Sequence, residues 1–190
     1  MNYLFTGVFI IFLVIMSFQR VWEVFFKIKK EPGEIINKWT LKVLATIHII
    51  IITATFAEYF LVKKHINLNM SIIGFILYVV ALIGRNWSIN TLGRYHSPYV
   101  EIMDKHLLIR KGPYKYLRHP YYLSVIFEFI GFPLIPNSYY ALCISLFLYI
   151  PALFILRVYP EEKAMMEEFG EEYLLYKKEV GGFLPLKRNL

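Results

Sequence analysis

The residues best suited to bind a charged small molecule lie within residues 104–122. This segment mixes aromatic side chains with cations and two histidines, His106 and His119, and Gly112-Pro113 marks a turn inside it. Backbone groups in such a turn are not committed to a helix, and aromatic faces attract cations such as a methylsulfonium. The same composition also fits an interfacial role, in which Arg118 and His119 anchor the chain at the membrane surface and the tyrosines form part of an aromatic belt.

These residues do not indicate a metal site. His106 and His119 lie thirteen positions apart, without helical ligand spacing and without a nearby pair of carboxylates. The one cysteine, Cys143, can form neither an internal disulfide nor a cysteine-based metal centre. We therefore expect no bound metal.

A second polar cluster, Arg157 with Glu161-Glu162, follows a long apolar run. Arg157 and Glu161 are four positions apart, so they share a helix face if Pro160 only kinks the helix. They form either an ordinary ion pair at a helix end or a functional pair. In the functional interpretation, the carboxylate holds the arginine so that it can bind an anionic acceptor through two hydrogen bonds.

Three further ionisable residues, His48, Glu58 and Glu128, lie inside apolar segments. Ionisable groups within a bilayer are candidates for a function by default. Glu58 can also simply reach an interface, and His48 can be a neutral, hydrogen-bonded interior residue. Glu128 is of most interest because it lies about two to three helical turns beyond His119, and we predict that it contacts a bound substrate.

The elements that carry these groups are predicted to be membrane-spanning helices. The chain is 57% hydrophobic with a mean hydropathy of +0.49, whereas soluble domains are about 45–50% apolar. A helix needs about 20 mostly apolar residues to cross the hydrocarbon core. The longest apolar segment is interrupted by Pro133, Pro136 and Asn137, which predicts two helices joined by a tight turn. About five transmembrane helices follow from residues 2–19, 43–62, 66–84 and 120–156.

The basic residues predict the orientation of this bundle. Nineteen of the 21 Lys and Arg residues fall within residues 20–42, 85–118 and 157–190, which five spans place on one side. The positive-inside rule then puts the N-terminus outside and the C-terminus in the cytoplasm of a multi-pass protein, expected in a prokaryotic cell membrane. We assign the net charge of +7 to contact with the membrane surface and not to nucleic acid.

The segment after the last span is predicted to be an amphipathic helix. Apolar residues recur every three or four positions within residues 161–180, as expected for a helix that lies on the membrane or covers the loops. The predicted fold is an all-α, integral membrane helical bundle with this C-terminal helix. Residues 1–190 form one domain, in which 1–84 hold the first three spans and 85–190 hold the binding and catalytic part.

Two motifs resemble those of the isoprenylcysteine carboxyl methyltransferase family. One is Gly112-Pro113-Tyr114 followed by Tyr116-Leu117-Arg118-His119-Pro120 and Tyr122. The other is Arg157 with Glu161-Glu162, followed by Glu168-Phe169-Gly170-Glu171-Glu172-Tyr173. In this order and at this distance the two motifs together are more specific than either alone. The resemblance covers residues 84–186, roughly the second half of the chain.

The resemblance implies a pocket for S-adenosylmethionine on the cytoplasmic side, closed by the C-terminal helix. The residues that would line it are His106, Leu107, Leu108, Ile109, Tyr114, His119, Pro120, Tyr121, Tyr122 and Glu161. Arg157 would face the acceptor, and Arg157 and Glu161 are the catalytic candidates. Because the chain is shorter before these motifs than eukaryotic members are, the acceptor can be another lipophilic small molecule and need not be prenylated.

The predicted reaction is direct in-line transfer of a methyl group to an oxygen of an acceptor that reaches the site from the lipid. A carboxylate acceptor needs no base, and Arg157 would orient it. A phenol or enol acceptor needs a base, for which His119, Glu161 or a tyrosine is a candidate.

Three alternatives stay open at this point. A phospholipid N-methyltransferase would accept an amine and would not need Arg157 as an anion clamp. A nicotinamide-dependent membrane reductase would bind phosphates with the basic residues of 105–118, although the sequence shows no glycine-rich phosphate loop. A non-enzymatic membrane scaffold would bind no cofactor.

Overall fold

Helices form most of the structure. The computed structural model describes residues 3–26, 33–62, 65–97, 99–103 and 107–185. Its α-helices are α1 (Tyr3–Phe26), α2 (Trp39–Leu61), α3 (Leu68–Leu92), α4 (Pro120–Leu134), α5 (Tyr139–Phe169) and α6 (Glu171–Glu179). Short 3₁₀ helices follow α3 and precede α4, at Gly93–Tyr95 and Gly112–Lys115. The predicted helical class is confirmed.

A small β-ribbon is a feature of the described fold that the sequence pattern did not indicate. Its strands, β1 (Gly33–Ile36) and β2 (Val100–Met103), pair antiparallel. The ribbon joins the segment before α2 to the segment after α3, and β2 packs against the last part of α5. It therefore lies at the end of the bundle where α5 carries Arg157 and the two glutamates.

Three helices within the described ranges are long and apolar enough to cross a membrane: α2, α3 with its 3₁₀ extension, and α5. The apolar stretches of α1 and α4 are shorter. α4 has 15 residues. At about 1.5 Å per residue it covers only about 22 Å of a hydrocarbon core roughly 30 Å thick. A membrane protein is confirmed, and three of the five predicted helices are both long and apolar enough to cross within the described residues.

Buried hydrogen bonds fix the turn between α4 and α5. Asn137 adopts a left-handed conformation with a φ of 59°, which asparagine tolerates better than most residues. Its side chain accepts a hydrogen bond from the Asn67 backbone N–H at 2.6 Å and donates to the Ser71 hydroxyl at 3.0 Å. The Ser138 hydroxyl donates to the Thr55 carbonyl oxygen at 3.0 Å. The turn is thus attached to both α2 and α3.

Glu58 caps the N-terminus of α5. Its carboxylate accepts hydrogen bonds from the backbone N–H groups of Tyr140 and Ala141 at 2.9 and 3.1 Å. These N–H groups have no partner within their own helix, and a negative charge is favoured at the positive end of the helix dipole. Glu58, one of the ionisable residues within the apolar segments, therefore has a structural role.

Close backbone contact joins α3 to α4. A Cβ atom added at Gly74 would lie 2.7 Å from the Leu134 Cβ and 2.9 Å from the Gly131 carbonyl oxygen. A Cβ added at Gly131 would in turn lie 2.7 Å from the Gly74 carbonyl oxygen. Small residues at this crossing allow the two helices to pack tightly in a lipid environment.

The last long helix, α5, is irregular and ends at a glycine. α5 contains π-helical turns at Ser145–Tyr149 and Phe154–Val158. Gly170, with a φ of 48°, ends α5 and separates it from α6. The amphipathic segment predicted for residues 161–180 is helical, but this glycine divides it between the end of α5 and α6.

Candidate active site

The Arg118-His119-Pro120 sequence is fixed by the start of α4 and by the chain that follows α6. Pro120 lies in the first turn of α4, where its missing N–H leaves no helical hydrogen bond unmade. The backbone N–H groups of Arg118 and His119 donate to the carbonyl oxygens of Gly181 and Gly182 at 2.9 and 3.0 Å. The sequence after α6 is thus paired with the motif through the backbone.

Glu162 lies at the centre of a polar network that joins α5, the motif and α6. Its carboxylate accepts hydrogen bonds from Arg118 Nη2 at 2.7 Å, Arg118 Nε at 3.1 Å and Lys177 Nζ at 2.7 Å. His119 Nε2 lies 3.0 Å from the carboxylate oxygen that Arg118 contacts. The side chains of Glu162 and Arg118 are 19% and 11% exposed. These charge-assisted hydrogen bonds are therefore partly shielded from water, which strengthens them.

The neighbouring carboxylate, Glu161, points in a different direction. It accepts a hydrogen bond from the Tyr122 hydroxyl and lines the main cavity, whereas Glu162 does not. The ion pair between Arg157 and Glu161 that their spacing suggests is not found among the ion pairs of the described residues. Arg157 lies in a π turn, and the extra residue of such a turn changes which side chains stack along the helix.

A cavity of 720 Å³ lies between α2, α4 and α5. Each helix contributes residues three or four positions apart, so one face of each helix lines the cavity. The lining includes Leu41, Leu44, Ala45, His48, Ile49, Ile52 and Phe56 of α2, Tyr122, Val125, Phe129 and Phe132 of α4, and Tyr149, Leu153, Arg157 and Glu161 of α5. The cavity thus has one polar end, at Glu161, and an apolar part lined by all three helices, with Arg157 between them.

The structure brings most of the predicted site residues to this cavity. Its walls include Leu107, Leu108, Ile109, Tyr114, His119, Tyr121, Tyr122, Glu128, Arg157 and Glu161. Pro120 does not line the cavity and instead starts α4 beside it. His106, which was predicted to line the cofactor pocket, lies outside the described residues.

Arg157 places a buried charge between the polar end and the apolar part of the cavity. It is 6% exposed, and its Nη1 is buried without a hydrogen-bond partner among the residues that the structure describes. A buried cation is costly unless an anion or acceptor groups compensate for the water it loses. The cavity is therefore well suited to an anionic group placed against Arg157.

Glu128 lines the cavity but already has a charged partner. Its carboxylate forms an ion pair with Arg85 at 2.5 Å, and the two side chains are 7% and 0% exposed. Arg85 Nη2 also donates to the Gln19 side chain at 3.1 Å. The ion pair links α3 to α4, and the arginine also contacts α1. This arrangement gives Glu128 a structural contact, and its predicted contact with a substrate stays a prediction.

Replacing Glu128 with Leu is expected to lower the free energy of unfolding by about 3–5 kcal/mol, because the Arg85 guanidinium then loses its buried counter-charge. The double variant Arg85→Met/Glu128→Leu should regain most of that stability, since it removes both charges. Chemical unfolding in detergent measures both variants. If the double variant is stable but inactive, activity needs at least one of the two charges, and the purely structural interpretation of the pair is wrong.

Two buried tyrosines at the polar end keep their phenol protons. Burial raises the pKa of Tyr176 to about 12, and its hydroxyl donates to the Tyr114 carbonyl oxygen at 2.6 Å. Burial, reinforced by the charge of Glu161, holds the pKa of Tyr114 well above its usual range. Both phenols therefore stay protonated near neutral pH, and neither is suited to act as a general base.

The main polar partners in this region could not be recognised from the sequence. Arg118 has the features of a membrane anchor, and no pattern gives Glu162 and Lys177 separate roles, yet these three residues form the central network. The only sequence signal was that Arg118 lies in one of the two motifs and Glu162 in the other. The cavity wall after α3, where the Ser97 hydroxyl donates to the Glu101 carboxylate, was not predicted either.

The fold and the cavity define a helical membrane protein whose cavity is lined by both charged and apolar side chains. A sequence model of the isoprenylcysteine carboxyl methyltransferase family matches residues 72–167. The chain therefore belongs to the isoprenylcysteine carboxyl methyltransferase family.

Individual relatives support this membership. An uncharacterized Bacillus subtilis protein, YpbQ, is 28% identical over 141 residues, which cover 74% of this chain and 83% of YpbQ. The protein-S-isoprenylcysteine O-methyltransferase of Saccharomyces cerevisiae is 31% identical over 117 residues, covering 60% of this chain and 48% of the yeast protein. The chain thus spans about half the length of that enzyme.

A solved structure shows the same fold. The eukaryotic intramembrane Ras methyltransferase, isoprenylcysteine carboxyl methyltransferase, superposes with a TM-score of 0.62 at 22% identity. The match covers 78% of this chain and 54% of that one.

Proposed function

We propose that this protein transfers a methyl group from S-adenosylmethionine to an oxygen of a lipophilic acceptor at the cytoplasmic face of a prokaryotic membrane. The observation that carries the proposal is the buried Arg157 at the junction between the polar end of the cavity and its apolar part. An acceptor with an anionic head and an apolar tail would place its head against Arg157 and its tail in the apolar part of the cavity. The excess of basic residues in the segments beside the site favours the cytoplasmic face.

The polar end fits the proposed cofactor. Residues 107–110 belong to no helix or strand, so their backbone N–H and C=O groups are available to a ligand. His119 Nδ1 is buried without a hydrogen-bond partner among the described residues, and Glu161 places a carboxylate on the same cavity wall. Backbone groups of residues 107–109 with Tyr114, His119 and Glu161 would hold the cofactor. S-adenosylmethionine supplies an electrophilic methyl group on a sulfonium.

The protein's own contribution would be to bind, orient and dehydrate the nucleophile. Arg157 would hold a carboxylate in place, and the apolar walls would keep water from it. A carboxylate is already ionised, so one oxygen–carbon bond forms as the sulfur–carbon bond breaks, and no proton has to move. Arg157 would not help to bind an amine, which disfavours phospholipid N-methylation.

The names of relatives leave more than one acceptor class to test. The yeast relative is a protein-S-isoprenylcysteine O-methyltransferase. A methanethiol S-methyltransferase of Pseudomonas deceptionensis is 35% identical over 77 residues, covering 40% of this chain and 28% of that enzyme. The anion site at Arg157 favours a carboxylate over a neutral thiol, and we therefore propose O-methylation.

Purified protein in nanodiscs should transfer labelled methyl from S-adenosylmethionine to an S-farnesyl cysteine carboxylate. It should not methylate phosphatidylethanolamine or methanethiol at a comparable rate. Binding of S-adenosylmethionine is measured separately by titration, with a nicotinamide cofactor as control. Binding of the nicotinamide cofactor alone would overturn the proposal in favour of a reductase, and methylation of the amine alone would overturn O-transfer.

A further inference from the structure

Residues 107–109 form a wall between two pockets at the polar end of the protein. Leu107, Leu108 and Ile109 line the main cavity, and they also line a second pocket on the side of Phe169 and Glu172. The segment belongs to no helix or strand. Because it lies outside regular secondary structure, its conformation depends on the contacts of the residues that adjoin it.

Arg110, the next residue, attaches this segment to α6. Its Nη2 donates to the Glu172 carbonyl oxygen at 2.6 Å, and its guanidinium carbon lies 5.1 Å from the centre of the Tyr176 ring. Its Nη1 lies 3.7 Å from the Glu179 carboxylate. The three partners follow one another at spacings of four and three, so they lie on one face of α6. One guanidinium thus contacts α6 from its first turn to its last residue.

Tyr176 links the same face of α6 to the turn that follows. Its hydroxyl donates to the Tyr114 carbonyl oxygen at 2.6 Å, within the 3₁₀ helix Gly112–Lys115. Tyr176 is buried, and it lines the main cavity. α6 therefore holds the chain at Arg110 and again at Tyr114, and the contact at Arg110 is the nearer of the two to residues 107–109.

The shape of the guanidinium matters more at this position than its charge. The side chains of Arg110, Glu172 and Glu179 are 34%, 62% and 56% exposed, so water and salt screen their ion pairs. The hydrogen bond to the carbonyl oxygen is charge-assisted, and the buried Tyr176 ring gives the flat guanidinium a surface to stack on. A lysine would keep the charge but lacks the planar group that makes both contacts.

We propose that Arg110 is a positioning residue for the cofactor, which holds residues 107–109 in the conformation that binds S-adenosylmethionine. Arg110 does not itself line the main cavity. The inference rests on the proposed function and adds to it a residue that acts through its neighbours. When an anchor is lost, the apparent affinity falls in proportion to the fraction of molecules that keep the binding conformation.

The test compares Arg110→Met, Arg110→Lys and Lys111→Met, each made in the whole chain and studied in nanodiscs. Lys111→Met is the matched control, because it removes the same charge from the next residue, whose side chain is exposed. Affinity for S-adenosylmethionine is measured by titration, and steady-state kinetics give kcat and the KM of each substrate. Amide hydrogen exchange of residues 107–110 is measured without ligands.

Arg110→Met should weaken binding of S-adenosylmethionine by about tenfold and raise its KM by a similar factor. The KM of the acceptor and kcat should change by less than about twofold, since the acceptor end of the cavity is untouched. Exchange of residues 107–110 should become faster. Arg110→Lys should lie between Arg110→Met and the unmodified protein, and Lys111→Met should match the unmodified protein.

Unchanged cofactor affinity in a folded Arg110→Met variant would overturn the inference. So would an equal rise in the KM of the acceptor, because general damage to the site would then explain the loss. Failure of the unmodified protein to bind S-adenosylmethionine would count against the proposed function. In that case faster exchange in Arg110→Met would still support the anchoring of residues 107–109 by Arg110, and unchanged exchange would overturn it.

Discussion

Replacing Arg157 with Ala should lower kcat/KM for a carboxylate acceptor by about a hundredfold or more, because charge-paired hydrogen bonds at buried sites contribute about 2–5 kcal/mol. The kcat/KM of Arg157→Lys should lie between that of the unmodified protein and that of Arg157→Ala. Lysine keeps the charge but lacks the planar guanidinium that can bind both carboxylate oxygens. Steady-state kinetics with labelled S-adenosylmethionine measure this change.

The same substitution should not destabilise the protein without its ligands. Arg157 Nη1 is buried without a hydrogen-bond partner among the described residues, so replacing the guanidinium removes an uncompensated desolvation cost. Unfolding of Arg157→Ala should therefore require at least as much denaturant as unfolding of the unmodified protein. This opposite effect on stability and activity separates a binding role from a structural one.

A matched pair of ligands gives the control. Arg157→Ala should weaken binding of the carboxylate acceptor but change little in the binding of its neutral methyl ester, which has the same tail. Unchanged turnover in folded Arg157→Ala protein would show that the guanidinium does not bind the acceptor. An equal loss for acid and ester would mean that it only shapes the cavity.

The helical class and much of the cavity lining could be predicted from local sequence features. Apolar length alone identifies α2, α3 and α5, because a membrane-spanning helix must satisfy its backbone internally. The two motifs identified residues as far apart as Tyr114 and Glu161, which line the same cavity. The fold brings the start of α4, which carries the first motif, against the end of α5, which carries the second. The residue types and the order of the two motifs therefore predict the shared cavity.

The side-chain partners could not be predicted because they depend on helix phase and on long-range packing. A four-residue spacing suggested that Arg157 pairs with Glu161, but the π turn at Phe154–Val158 alters that phase. Glu128 was predicted to contact a substrate, and its partner Arg85 lies 43 positions earlier. No local pattern reveals such a pair, because each charge alone resembles a functional residue within an apolar segment.

Replacing Glu162 with Ala should have the second large effect, on both stability and cofactor binding. The change leaves Arg118, His119 and Lys177 without the carboxylate that they share. Because this network is only partly exposed, the free energy of unfolding should fall by about 2–4 kcal/mol. The network holds α6 against the site, so its loss should also weaken binding of S-adenosylmethionine. We expect the affinity to fall by about tenfold or more, because each 1.4 kcal/mol of lost binding free energy is a factor of ten.

Glu167 provides a matched control for Glu162. It is the same residue type on the same helix, and it lies 3.8 Å from Lys163 in an exposed pair. Exposed pairs contribute about 0–1 kcal/mol, so Glu167→Ala should change neither stability nor cofactor binding appreciably. Equal unfolding of the two variants would contradict the central role of Glu162. A less stable Glu162→Ala protein that still binds S-adenosylmethionine normally would show that α6 need not be held against the motif for the cofactor to bind.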